Sequence, residues 1–182
     1  KRDRLRLDFA DWDWALSFED TRRFGSLDIL HGCEVAQGLL GELGPDALIV
    51  GLEDFRDLLA ASRRPVKALL LDQRVIAGLG NIYVDESLHR AGIHPLTPAA
   101  EVSQAQVRHL HATMRKILRK AIDCHGSSVS DYRDSNNRPG SFQNHHLVYQ
   151  RCGEPCTTCG ESIEHIRVVG RGTHLCPVCQ KR

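Results

Sequence analysis

The sequence predicts an α+β fold in which a mainly helical segment lies between two short β-hairpins. Three observations predict it. Apolar and polar residues alternate near the N terminus, apolar residues recur at helical spacing through the middle of the chain, and strand-forming residues lie between two Cys-x-x-Cys pairs near the C terminus. A chain of 182 residues accommodates one or two small domains with a buried core.

The N-terminal segment, residues 1–27, predicts a β-hairpin. Alternation runs through Leu5, Leu7 and Phe9, breaks at Asp11-Trp12-Asp13, and resumes at Trp14. A single hairpin is only marginally stable, so we expect it to be the remnant of a larger sheet domain that this sequence lacks. The sequence begins with Lys1 and its only methionine is Met114, so we expect it to be the back part of a longer protein.

A polar turn follows the hairpin and contains Arg22, Arg23 and Phe24. Two guanidinium groups beside an aromatic ring can bind phosphates and wedge between bases. A surface arginine pair beside a core phenylalanine explains the same residues equally well.

Residues 28–125 predict a helical domain. Helical patterns cover Leu48 to Leu59 and Ile82 to Arg90, Pro65 can begin another helix, and a glycine-rich turn precedes Asn81. Such a turn and helix N-terminus can present N–H groups to a phosphate, with Asn81 as an additional donor. The simpler alternative is a plain helical hairpin capped by Asn81.

A further helix is predicted to begin at Ser103, which forms a capping box with Gln106. One face of this helix is apolar and predicts a core contact: Val107, Leu110, Met114, Ile117 and Ala121. Residues 126–144 are polar and rich in turn-forming types, which predicts a long mobile loop. Loops of this length in compact domains are often functional.

The C-terminal segment, residues 145–182, predicts a metal site. Two Cys-x-x-Cys pairs, separated by sixteen residues, have the spacing of a four-thiolate zinc site: Cys156, Cys159, Cys176 and Cys179. Four thiolates leave no open position, so one structural Zn²⁺ is expected. Two disulfides are the alternative, and an odd count of seven cysteines weighs against it. We expect His145 and His146 to be surface or hydrogen-bonded histidines rather than ligands. Arg171 is expected at a hairpin tip between two glycines.

The charge distribution suggests contact with a polyanion. The net charge of +1 identifies no partner, but both ends of the chain are locally basic. Solvated basic tails explain this pattern as well. No apolar run approaches the ~20 residues of a membrane span, so we expect a soluble protein. Free cysteines beside a zinc site fit a reducing, intracellular compartment.

Three motifs together resemble the formamidopyrimidine-DNA glycosylases and their endonuclease VIII relatives. The segment from Leu71-Asp72-Gln73 through Gly78-Leu79-Gly80-Asn81-Ile82-Tyr83, with Asp85-Glu86 and Ala91-Gly92-Ile93-His94-Pro95, resembles their helix-two-turn-helix. Gly153-Glu154-Pro155-Cys156, Gly170-Arg171-Gly172-Thr173-His174 and the second cysteine pair resemble their zinc finger. Arg22-Arg23-Phe24-Gly25 resembles their intercalation loop.

The resemblance implies a bacterial, cytoplasmic and monomeric base-excision repair enzyme that binds damaged double-stranded DNA. It removes oxidised bases, purines in preference to pyrimidines, and nicks the abasic strand. Such enzymes flip the damaged nucleotide out of the stack. The resemblance implies that Arg22 and Phe24 fill the space that the flipped base leaves, and that the 126–144 loop covers that base. It gives the remaining contacts to the DNA backbone to Arg2, Arg63, Arg64, Lys67, Asn81 and Arg171, with Arg171 also assisting elimination.

The sequence departs from the family at the reaction centre. The family's nucleophile is an N-terminal proline amine followed by a glutamate, and this chain begins Lys-Arg. We therefore expect the chain alone to bind DNA without excising bases. Three other interpretations stay open: a preference for oxidised pyrimidines of the endonuclease VIII type, a non-catalytic zinc-finger module that binds DNA, and a zinc ribbon that binds protein.

Overall fold

The computed structural model describes residues 3–20, 25, 27, 42–129, 132–134 and 136–182. It divides into two compact units, residues 1–40 and 41–182, which are considered separately. Three residues with predicted DNA contacts lie outside the described residues: Arg2, Arg22 and Phe24. Within the described residues, no helix is long and apolar enough to cross a membrane.

The first unit contains the predicted hairpin. Strand β1 (Asp3–Asp8) pairs antiparallel with β2 (Ala15–Glu19), and Leu7 lies opposite Leu16. The rings of Trp12 and Trp14 stack with centroids 4.4 Å apart, yet both side chains are more than half exposed. The rings of Phe9, Trp12 and Trp14 pack on one another.

The second unit begins with four helices: α1 (Leu52–Ala60), α2 (Val66–Leu70), α3 (Asn81–Ala91) and α4 (Gln104–Asp123). Short 3₁₀ helices cover Ala99–Glu101 and Phe142–His145. The largest cluster of buried apolar residues joins these helices and includes Phe55, Leu69, Leu88, Leu110 and Met114. The predicted apolar face of the fourth helix is confirmed, as is the Ser103–Gln106 capping box at its start.

The first predicted helix begins four residues later than expected, at Leu52. Residues 47–49 form a turn in which the carboxylate of Asp46 accepts a 2.7 Å hydrogen bond from the backbone N–H of Leu48. Ile49, inside the range predicted to be helical, is 79% exposed. A side-chain hydrogen bond of this kind competes with helix formation.

The glycine-rich turn before α3 is held by one side chain. Gln73 accepts a 2.9 Å hydrogen bond from the N–H of Gly78 and donates a 3.0 Å bond to the carbonyl of Leu79. Gly78 has φ of +91°, a conformation that side chains disfavour. Gly92 ends α3 in the left-handed region with φ of +64°.

The C-terminal hairpin consists of β3 (Glu164–Val168) and β4 (Arg171–Leu175), which pair antiparallel. Val169 and Gly170 form the two-residue turn, both with positive φ, as a type I′ turn requires. The prediction that Arg171 lies at the tip is therefore wrong by one residue, because the turn ends at Gly170. Arg171 is the first residue of β4, exposed and paired with Val168.

Candidate nucleic-acid interface and its metal centre

The four cysteines of the C-terminal segment meet at one point. All four Sγ atoms lie within 4.8 Å of one another. The Sγ atoms of Cys156 and Cys179 are 3.9 Å apart, and those of Cys159 and Cys176 are 3.4 Å apart. Zn–S bonds of ~2.3 Å place tetrahedral sulfurs about 3.8 Å apart. The quartet therefore fits one structural Zn²⁺, and within the described residues neither His145 nor His146 belongs to it.

The electrostatics of the quartet also fit a dication. Burial raises the pKa of the Cys156 thiol, but the N–H groups of Thr158 and Cys159 and the ring of His89 outweigh burial and lower it to about 6. Burial and the neighbouring thiols raise the pKa of Cys179. Four thiolates at this separation repel one another, and a bound cation removes that repulsion.

The start of α3 directly contacts the C-terminal hairpin of β3 and β4, here called the zinc hairpin. The side-chain amide of Asn81 donates a 2.9 Å hydrogen bond to the carbonyl of Gly172, and the Oδ1 atom of Asn81 is buried without a partner among the described residues. Gly80 is the residue that precedes the helix, and no side chain caps it. Capping by Asn81, the simpler alternative, is therefore excluded, and Asn81 lies next to the residue that follows Arg171.

Lys67 is the clearest correction among the predicted DNA contacts. Its side chain is fully buried, and its ammonium lies 2.6 Å from Asp85 and donates a 3.0 Å hydrogen bond to the carbonyl of Gly172. Burial lowers the pKa of Lys67 and the carboxylate of Asp85 opposes this, while the nearby charge of Arg171 lowers the pKa further. A lysine buried in this way does not reach a DNA phosphate. Instead, it supports the hairpin beside Arg171.

The two arginines before α2 occupy different environments. Arg64 forms a 2.9 Å ion pair with Asp72 and donates to the carbonyl of Ala68. Arg63 is exposed. The structure thus brings Asn81, Lys67 and the Arg171–Gly172 segment together, whereas the described side-chain contacts of Arg64 lie within residues 68–72.

Two buried carboxylates of α3 anchor the C-terminal segment, and sequence reasoning gave neither a role. Asp85 accepts a 2.9 Å hydrogen bond from the backbone N–H of His174. Glu86, 1% exposed, accepts three backbone hydrogen bonds of 2.9 to 3.0 Å from Leu147, Val148 and Tyr149. Adjacent acidic residues in the middle of a helix with a buried face were the available signal, because buried carboxylates need hydrogen-bond partners.

In the described part of the 126–144 loop, side chains near its start form hydrogen bonds with residues later in the loop and just after it. The hydroxyl of Ser128 donates to the carbonyl of Tyr132 at 2.6 Å and accepts from the N–H of Gly140 at 2.8 Å. The hydroxyl of Ser127 lies 3.1 Å from Nε2 of His146. A cavity of about 410 Å³ adjoins this loop, lined in part by Tyr83, Leu118, His125, Tyr132 and Asp134.

Comparison with known proteins identifies the two parts of this interface. A family model described as the formamidopyrimidine-DNA glycosylase H2TH domain matches residues 43–133, half of the chain. The chain belongs to the formamidopyrimidine-DNA glycosylase family. A second model, a zinc finger found in FPG and IleRS, matches residues 153–182, which contain the cysteine quartet.

Individual members of the family align with most of this chain. The formamidopyrimidine-DNA glycosylase of Bacillus subtilis is 44% identical over 173 residues, which cover 92% of this chain and 62% of that protein. The crystal structure of MutM (Fpg) from Thermus thermophilus is 45% identical, with a TM-score of 0.83 over 91% of this chain and 64% of that chain. A complex of Lactococcus lactis Fpg with DNA containing an abasic site is 39% identical, with a TM-score of 0.90 over 100% of this chain and 67% of that chain. This chain therefore spans less than two thirds of the length of the first two relatives.

Proposed function

We propose that this chain is the DNA-binding part of a bifunctional DNA glycosylase and abasic-site lyase that removes oxidised bases, chiefly purines, from double-stranded DNA. Family membership supports base-excision repair as its setting. The purine preference is supported by relatives named for formamidopyrimidine and by their solved complexes with DNA containing Fapy-dG or carbocyclic 8-oxo-G. We place this enzyme in the bacterial cytoplasm as a monomer.

The convergence of α3 and the zinc hairpin on Gly172 is the observation that carries this proposal. Asn81 and Lys67 both donate to the Gly172 carbonyl, at 2.9 and 3.0 Å, and Arg171 precedes it in the chain. The start of an eleven-residue helix, whose first N–H groups have no intrahelical partner, the Asn81 amide and the backbone of Arg171 therefore lie close together. Donors at short, fixed separation match neighbouring phosphates of one sharply bent strand.

Each part of the chain has a separate task in this mechanism. Arg171 and Asn81 hold the phosphates beside the lesion, and Arg171 also assists strand elimination. Zinc supplies no chemistry beyond holding the hairpin, because its four thiolate ligands leave no open position. We propose that Arg22 and Phe24 fill the space left by the flipped base, that the 126–144 loop covers that base, and that Arg2, Arg63 and Arg64 contact the DNA backbone nearby.

We further propose that these 182 residues bind DNA but do not excise bases. The family's proline nucleophile forms a Schiff base with the sugar, and these 182 residues align with only 62% of the Bacillus subtilis relative. Borohydride trapping on a duplex containing 8-oxoguanine tests this. The chain should form no covalent adduct, and the formamidopyrimidine-DNA glycosylase of Bacillus subtilis, tested alongside as the positive control, should form one. An adduct with the 182-residue chain contradicts this part of the proposal.

Salt-dependent binding to a duplex with an abasic-site analogue tests the DNA interface itself. Arg171→Ala should reduce the log–log salt slope by about 1, as expected when one phosphate contact is lost. Arg108→Ala, which removes an exposed arginine at the start of α4, is the matched control and should leave the slope unchanged. Equal losses in the two variants, or a wild-type slope near zero, contradict DNA binding by this face and favour a zinc ribbon that binds protein.

A further inference from the structure

Three polar side chains follow one another at four-residue intervals along α3, and each contacts the zinc finger. Asn81 donates to the carbonyl of Gly172 at 2.9 Å, Asp85 accepts from the N–H of His174 at 2.9 Å, and Nε2 of His89 lies 3.4 Å from Sγ of Cys156. Residues four apart share one face of a helix. These residues, here called the polar stripe, extend over roughly 12 Å of helix axis.

The third member of the polar stripe meets the metal site itself. His89 is 4% exposed, and its Nδ1 atom is buried without a hydrogen-bond partner among the described residues. A cysteine that binds zinc is a thiolate and has no proton to donate. The hydrogen bond therefore runs from His89 to sulfur, which requires the proton on Nε2 and leaves a lone pair on Nδ1.

We infer that His89 is a positioning residue for the zinc ion, and that it retains the metal by donating a hydrogen bond to the Cys156 thiolate. Four thiolates around one Zn²⁺ leave a net charge of −2, and Cys156 is 2% exposed. Buried negative charge is stabilised by donors aimed at it. A donor to a ligand also fixes its orientation and weakens its reactivity towards oxidants and competing chelators.

His89 is a donor to a zinc ligand that comes from outside the zinc finger. The remaining described donors to the sulfurs are backbone N–H groups of the finger, such as those of Thr158 and Cys179 at 3.4 and 3.5 Å. His89 belongs to the helical domain, on the same helix that presents Asn81. Metal retention and the packing of α3 against the finger are therefore linked, because the contact between His89 and the Cys156 thiolate serves both.

Zinc transfer to the chromophoric chelator 4-(2-pyridylazo)resorcinol tests this inference. His89→Phe keeps an aromatic ring and removes the donor, and it should weaken zinc binding about tenfold or more, as expected for loss of an outer-shell contact to a metal ligand. His89→Gln returns an N–H donor near the position of Nε2 and should recover most of the loss. His109→Phe, at an exposed histidine of α4, is the control and should behave like wild type.

A spectroscopic measurement separates hydrogen bonding from packing. In cobalt-substituted protein, His89→Phe should shift the thiolate-to-cobalt charge-transfer band, while His89→Gln and His109→Phe should leave it near the wild-type position. Equal zinc transfer in all variants, or equal acceleration in His89→Phe and His89→Gln with an unmoved band, overturns the inference. If His89→Phe does not fold, nitrogen-15 NMR of the wild-type imidazole decides, because a proton on Nδ1 rather than Nε2 excludes the donor role.

Discussion

The helical segment and the zinc finger achieve order by different means. Among the described residues, eighteen buried apolar side chains form the main cluster of the helical segment, whereas the cluster of the finger has four members, of which two are zinc ligands. A cluster of four cannot offset the conformational entropy of about thirty residues. The finger therefore depends on its metal and on buried polar contacts with α3, while the helices depend on apolar packing.

Removal of zinc is the strongest test of this contrast. Cys179→Ser, or a chelator added to the wild type, should unfold residues 164–175 and leave α4 protected, since structural zinc supplies on the order of 10 kcal/mol of apparent binding energy. Hydrogen exchange followed by mass spectrometry measures both segments in one experiment. Cys152→Ser replaces an exposed free cysteine and should change neither. Equal protection of residues 164–175 with and without chelator contradicts the metal assignment.

The buried ion pair between the two regions should give the next largest effect. Asp85→Asn leaves the Lys67 ammonium without its partner 2.6 Å away, in a site where both side chains are fully buried. Loss of one member of such a pair costs about 3–5 kcal/mol, which chemical denaturation measures. Glu154→Gln breaks the 2.7 Å pair with Arg151 at a half-exposed site and should cost less than about 1 kcal/mol. Similar costs for the two variants contradict the anchoring role of Asp85.

Substitution of Leu110 tests the apolar packing of the helical segment. It is fully buried in the main cluster, so Leu110→Ala should destabilise the helical segment by about 2–5 kcal/mol through lost burial and a residual cavity. Zinc affinity at temperatures below the transition should be unchanged, because no described contact links Leu110 to the finger. Ile122→Ala, at a 61% exposed position of the same helix, should cost under about 0.5 kcal/mol. A parallel drop in zinc affinity means that the two regions share one core.

The elements that the sequence predicted correctly have local causes. The capping box at Ser103 and the spacing of the cysteines each depend on residues close together in the chain, and both are confirmed. The anchors were missed because their partners are remote in sequence: Lys67 with Gly172, Glu86 with residues 147–149, and His89 with Cys156. Nothing in the pattern around Lys67 distinguishes a buried lysine from one that faces a phosphate. That distinction arises only when the hairpin packs on α3.

His146 offers the smallest effect and tests how the 126–144 loop is fastened. Burial lowers the pKa of His146, although the charge of Glu86 opposes this, so the folded protein favours the neutral ring. Because its folded pKa lies below the unfolded value of about 6.5, unfolding takes up a proton and stability falls as the pH drops through about 6.5. His146→Gln should keep a contact to Ser127, 3.1 Å away in the wild type, and flatten this slope between about pH 7 and 5. Melting curves across that range measure it, with His125→Gln as the control at a 57% exposed ring. An unchanged slope in His146→Gln assigns the pH dependence to other groups, and a slope lost equally in His125→Gln points to the ring near Asp134 instead.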